Sequence, residues 1–288
     1  MEELIKELNS PDEVERIYAA QDIAETNNPD MAVHLFDRLT NEESQAVRDA
    51  IVFALRNLPC SGIYARLFEL FRSPDAYLRN AVIGIFGSEG DEAVSFLYSH
   101  INHADGEVRK LILDALFAAG VPDAIQVIRS ALNDPSMNVQ ITAVEYLGRL
   151  EDRESVSEMI ELIRKETEPM LRISVLESLC LVGDRADIMN VFSILADGGD
   201  FIRIDPVCLP QVIRLSAKTG DPEVISGIAD TINDIEIYAE DVIHAIEEAE
   251  QEFKGICRKG RIPGLIRKIM EKTEDEELHT LCKELICW

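Results

Sequence analysis

Apolar residues return along this chain at steps of three and four, the spacing of one face of an α-helix. The clearest sets are Val33-Phe36-Leu39, Ile63-Leu67-Leu70, Val94-Leu97-Ile101, Ile125-Ile128-Leu132, Val156-Ile160-Ile163 and Ile188-Val191-Leu195. Before each set lies a second kind of segment, marked in most copies by small residues: Ala19-Ala20, Ala54-Leu55, Ala81-Val82, Ala115-Leu116 and Ala143-Val144. Small side chains let helices approach closely, since the distance between axes follows the residues at the contact. Turn residues divide the two patterns at Asn28-Pro29-Asp30, Gly90-Asp91, Gly120-Val121-Pro122 and Gly183-Asp184. A glycine just past a helix end supplies the left-handed conformation that stops it. The pattern therefore predicts pairs of helices joined by short turns, an all-α chain.

The pairs are in register. Arg16, Arg48, Arg79, Arg109, Gln140, Arg172 and Arg203 stand 32, 31, 30, 31, 32 and 31 residues apart. A fixed period in the thirties marks a stacked-repeat architecture, an α–α superhelix of about seven two-helix units. Four residues before each ladder position stand Asp12, Ser44, Asp75, Asp105, Ser136, Glu168 and Gly199. The acids among them, Asp12, Asp75, Asp105 and Glu168, predict acid-to-base pairs at i,i+4 on one helix face. Asp and Ser also suit an N-cap, with Pro74 and Pro135 marking the break upstream.

The motif Asp-x-x-x-(Val/Leu)-Arg, an alanine-rich helix, then Gly-Asp-x-x-Ala resembles the HEAT-like repeats first described in phycobilin lyases. Its clearest copies run from Asp75 to Ile101, with Leu78-Arg79, Gly90-Asp91 and Ala93, and from Asp105 to Leu132. The resemblance covers about residues 12–197 and implies a right-handed solenoid whose second helices line the inner side. It implies little about function, because the family includes scaffolds, lyases, a hydroxylase and DNA-repair enzymes.

The seventh unit, 198–233, departs from the rule. Gly198-Gly199 precede it, and Pro206 and Pro210 sit where a first helix should run. Pro206 suits a first helical residue after Asp205, whereas Pro210 is expected to bend or restart the helix, which then runs to Thr219-Gly220. Repeats are expected over 1–233. Residues 234–288 are expected to form a helical cap, with helices near 236–254, 263–272 and 275–287, shielding the last core layer. Within it, 254–272 holds seven basic residues (Lys254, Arg258, Lys259, Arg261, Arg267, Lys268 and Lys272) against one acid, Glu271.

The net charge is −26. Such a field repels nucleic-acid phosphates and anionic membrane surfaces and favours basic partners. No apolar run approaches the roughly 18 residues of a membrane span. The acidic start, Met1-Glu2-Glu3, reads as no export signal, so a cytoplasmic chain with reduced thiols at its six cysteines is expected.

Site chemistry is sparse. The His-Glu dipeptides of the hydroxylases in the resembled family are missing: His34, His100, His103, His244 and His279 precede Leu, Ile, Ala, Ala and Thr. Cys257, His279, Cys282 and Cys287 are zinc-ligand types without the close Cys-x-x-Cys spacing of structural sites. No phosphate loop or nucleophile elbow occurs. We therefore expect no catalytic residue, metal or cofactor.

The expected activity is protein binding by a non-enzymatic scaffold, with a bilin or tetrapyrrole lyase-like or chaperone-like role as the alternative. Self-association through the basic segment is a further option. Exposed second-helix positions are the expected contact residues: His34, Asp37, Arg38, Glu69, Ser99, His100, Arg129, Ser130, Glu158, Glu161, Asn190 and Ser193. Their mixed charge suits a protein ligand better than a nucleic acid.

Overall fold

The computed structural model describes residues 1–165, 168–195 and 204–287. Arg203, the Gly198-Gly199 pair with Ile202, and Trp288 lie outside the described residues.

A helix that the apolar pattern did not announce, α1 (Glu2–Leu8), opens the chain. Helix pairs follow in order: α2 (Glu13–Glu25) with α3 (Ala32–Leu39), α4 (Gln45–Arg56) with α5 (Tyr64–Glu69), α6 (Ala76–Ser88) with α7 (Asp91–Ser99), and α8 (Gly106–Ala119) with α9 (Pro122–Ser130). Then come α10 (Met137–Arg149) with α11 (Val156–Lys165), α12 (Pro169–Val182) with α13 (Arg185–Leu195), and α14 (Leu209–Ala217) with α15 (Pro222–Asp230). The chain closes with α16 (Ala239–Phe253), α17 (Ile262–Lys272) and α18 (Glu276–Cys287). No strand occurs among the described residues, and the fold is all-α. Two compact units divide the chain, 1–143 and 144–288, with the boundary falling inside α10.

Local chemistry sets the helix starts. Asp12, Ser44, Asp75 and Asp105 each stand at the N-cap and accept a backbone N–H from the first turn. That use corrects the expected i,i+4 pairing. The side chain four residues before the arginine is turned back on its own helix, and the arginine reaches elsewhere. Glu168 occupies the same position before α12 without a side-chain cap.

Helix ends are more varied than the glycines suggest. Gly120 ends α8 at φ 62, ψ 21, the left-handed stop. Gly183 follows α12 at φ −70, ψ 139, so no left-handed stop is made there. Pro210 does restart a helix. A 3₁₀ turn over Pro206–Cys208, capped by Asp205, precedes α14, and Pro210 falls in its first turn, where no backbone donor is lost. α14 ends at Ala217, short of the expected Thr219-Gly220.

The core is a continuous series of small and aliphatic layers within each unit. In the first, Ala19, Ala20, Ala54, Leu55, Ile85, Phe86 and Leu116 are at most 1% exposed. In the second, Leu147, Val175, Leu179, Val212 and Ile246 are wholly buried. Two glycines within helices permit close approach of the neighbouring helix. A Cβ at Gly87 would lie 2.8 Å from Cβ of Ala118, and one at Gly148 would lie 2.6 Å from Oγ of Ser178.

Candidate interaction surface

The ladder arginines are structural. Arg16 is 9% exposed and grips Glu42, Nε to Oε2 at 2.9 Å and Nη2 to Oε1 at 3.1 Å. Arg109, 8% exposed, makes the same two-pronged contact to Asp134, with both distances 2.7 Å. Arg48 pairs with Asp75 of the next repeat, its guanidinium 4.3 Å from the centre of the Tyr77 ring. Arg16, Arg79 and Arg109 also donate to the carbonyl six residues back, on Ser10, Ser73 and His103, at 2.9, 2.6 and 2.6 Å. Arg172 donates to the Ile163 carbonyl at 3.2 Å. A planar guanidinium can serve a carboxylate and a carbonyl together, which Lys cannot match. Each such arginine therefore fastens the turn before its own helix, and several also fasten the acid that opens or precedes the next repeat.

The second helices place the expected contact residues as follows. Asp37, Glu69, Ser99, Ser130, Asn190 and Ser193 are exposed, while His34, Arg38, His100, Arg129, Glu158 and Glu161 are half-buried. Several are already engaged. Arg38 donates to the buried Glu42 at 2.7 Å, and Asp37 pairs with Arg66, whose guanidinium lies 4.3 Å from the Phe36 ring centre. Glu69 meets Arg72 at 3.4 Å, and Glu161 meets Arg164 at 2.6 Å. The Ser99, Ser130 and Ser193 hydroxyls donate back to carbonyls three residues earlier. Their oxygen lone pairs remain available to an incoming donor. His100 packs against Phe68 and Phe96, with ring centroids 4.4 and 4.5 Å apart.

One row keeps the register of the repeats. Asp37, Glu69, Ser99, Ser130, Glu161 and Ser193 stand 32, 30, 31, 31 and 32 residues apart, on α3, α5, α7, α9, α11 and α13. In the first unit Asp37, Glu69, Ser99 and Ser130 thus give one polar side chain per second helix, and in the second unit Glu161 and Ser193 hold the same register on α11 and α13. Arg66 and Arg72, which dress this row, were not anticipated. Arg66 lies 29 residues after its partner Asp37, a spacing that means nothing until the helices are stacked.

Part of the basic segment is already paired within the second unit. Arg261 pairs with Glu223 and Asp230, and Lys272 meets Glu236 at 2.8 Å. Lys254, Arg258, Lys259, Arg267 and Lys268 are exposed.

A groove unseen in the sequence lies between α12, α14 and α16. It encloses about 310 Å³ and is lined by Glu177, Cys180, Gln211, Arg214, Asp241, His244 and Glu248, among others. Gln211 Nε2 donates to Glu177 at 3.2 Å. Burial and the neighbouring Glu240 push the Asp241 carboxyl above the usual aspartate value. Among the described residues, no three His, Cys, Asp or Glu side chains gather as metal ligands.

Residues 94–180 match the family model for HEAT repeats. No curated protein matches the sequence. Among solved structures, an engineered protein shares 17% identity over 99% of this chain and 88% of its own, with a TM-score of 0.45. The Escherichia coli protein YibA shares 17% identity over 87% of this chain and 92% of its own, at a TM-score of 0.47. The complex of CpcE and CpcF of phycocyanin lyase from a Nostoc species shares 18% identity, covering 86% of this chain and 92% of that one, at 0.34. No helix among the described residues is long and apolar enough to cross a membrane.

Proposed function

We propose that the chain is a protein-binding scaffold whose second helices carry the contact surface. The observation that supports this reading is the in-register row Asp37, Glu69, Ser99 and Ser130 of the first unit. It repeats one polar, mostly exposed position per helix pair and takes no part in the apolar core. An extended segment of a partner can address such a row one repeat at a time, by hydrogen bonds to the serines and charge contacts to the acids. In the first unit Arg16, Arg48 and Arg109 each tie a helix pair to a carboxylate that precedes or opens the next, which helps pre-organise this row and lowers the ordering cost of binding.

The test is affinity capture with wild-type protein, with a row variant (Glu69→Lys, Ser99→Glu and Ser130→Glu), and with a first-helix control (Asp114→Asn). A stoichiometric protein retained by wild type and control but lost by the row variant supports the reading. Equal capture by all three overturns the assignment of the face. A co-purifying pigment with no protein replaces the scaffold reading by the lyase one.

A further inference from the structure

Isolated apolar side chains on a surface are ordinary, whereas apolar exposure gathered beside a groove marks a place where something binds. Ile237 is 70% exposed, the highest value for a large apolar residue among the described ones, and it lines a groove in the second unit. Val207, 57% exposed, follows Pro206, which lines the same groove.

The two residues are 30 apart, one repeat, and each sits in a 3₁₀ turn that leads into a first helix. Val207 belongs to Pro206–Cys208 before α14, and Ile237 to Ile235–Tyr238 before α16. The Tyr238 hydroxyl donates to the Pro206 carbonyl at 3.3 Å and ties the two turns together. The groove encloses about 320 Å³, and the buried Leu209 and Ile232 are part of its wall. That volume lies at the small end of the roughly 300–1,000 Å³ range of binding pockets, room for one anchoring side chain.

The charge around the groove is one-sided. No Lys, Arg or His among the described residues lines it. Asp234 lines it, is exposed, and opens the second turn without a side-chain cap contact. Its carboxylate enters no ion pair among the described residues. Asp205 opens the first turn, accepting the Val207 N–H at 3.0 Å. Glu236, by contrast, is already answered by Lys272 at 2.8 Å. An apolar anchor entering here therefore meets uncompensated negative charge, which favours a cation beside the anchor and repels an acid.

We propose that this groove docks a protein segment in which a large apolar side chain is flanked by Lys or Arg. The anchor lies against Leu209, Ile232 and Ile237, and the flanking cations face Asp205 and Asp234. The net charge of −26 draws such a segment toward the chain, an attraction that weakens as salt rises. This surface belongs to the second unit and is separate from the second-helix row of the first, so either can fail without the other.

The experiment is methyl NMR on the full chain labelled at isoleucine, titrated with an end-blocked Lys-Lys-Leu-Lys-Lys peptide. The Ile232 and Ile237 methyl signals are expected to shift and saturate, while those of Ile51 and Ile112, buried in the first unit, stay in place. Two control peptides, one with serine for leucine and one with glutamates for the lysines, should leave all four signals unmoved. Read at Ile232, Ile237→Ser should raise the dissociation constant roughly fivefold or more. Asp234→Lys should weaken this peptide by a similar factor and turn the site toward the glutamate version. Both positions are exposed, and unchanged core methyl signals verify that each variant is folded. No saturable shift at Ile232 and Ile237, an equal response to either control peptide, or an unchanged constant in both variants would each overturn the proposal. Movement of the same signals with protein concentration alone would give the groove to a second copy of the chain instead.

Discussion

Single side chains carry more of this fold than their surface chemistry suggests, and Glu42 is the sharpest case. The residue is 7% exposed and receives Arg16, Arg38 and the Ser44 N–H on its two oxygens. Burial alone would raise its carboxyl, but the Ser44 N–H and the two guanidinium groups outweigh burial and bring it down to about 2. A carboxyl depressed in the folded state contributes stability that is whole above its unfolded value, near 4.5, and fades as pH falls toward 2. The contribution is about 3 kcal/mol at neutral pH. Glu42→Gln should therefore lower stability at pH 7 and flatten the acid limb of the stability curve between those two values. Urea melts of both proteins at stepped pH check this. Parallel curves for the two proteins across that window would show that Glu42 is not the titrating group.

At the scale of the helix, close packing sets the tolerances. Gly87 sits in α6 where an added Cβ would lie 2.8 Å from Cβ of Ala118 in α8 and 3.2 Å from its backbone carbon. Alanine is the better helix former by up to about 1 kcal/mol. Here it has no flexible neighbour to displace, so α6 and α8 must separate. Gly87→Ala should destabilise by about 1–3 kcal/mol despite its propensity gain. A variant at least as stable as wild type in thermal melts would mean that the helices part without cost.

Much at this scale was readable from sequence. The period, the alternation of helix types and the caps at Asp12, Ser44, Asp75 and Asp105 follow from short-range chemistry, which a linear chain displays. The partners of the ladder arginines were not readable. Glu42 and Asp134 lie 26 and 25 residues beyond Arg16 and Arg109, at a distance that only stacking makes short. The i,i+4 acids were the visible candidates, yet backbone donors at the helix start claimed them first. The α12–α14–α16 groove stayed hidden for the same reason, since its walls are separated in sequence by about a repeat.

Across the whole molecule, the cysteines give a readout of order in both units. Cys60 lies in the first unit, and Cys180, Cys208, Cys257 and Cys282 lie in the second, all buried, whereas Cys287 is exposed. Reaction with an alkylating reagent needs both access and the thiolate. Burial and the nearby Glu89 push the Cys60 thiol up to about 12, burial and Glu250 do the same at Cys257, and burial takes Cys180 to about 11. Even a brief opening that admits reagent therefore meets a protonated sulfur wherever those surroundings persist. Cys287 is the one thiol with ready access, so a short iodoacetamide pulse at pH 8 should label it alone, and all six sites should react after denaturation. Peptide mapping by mass spectrometry separates the sites. In a graded denaturant series, Cys60 then reports the first unit and the other four buried thiols the second. Repeat folds are stabilised by nearest-neighbour contacts, so the two classes can become reactive at different midpoints. Rapid native labelling at Cys60 or Cys257 would contradict the packing of that unit, because both sulfurs are buried and their surroundings disfavour the thiolate.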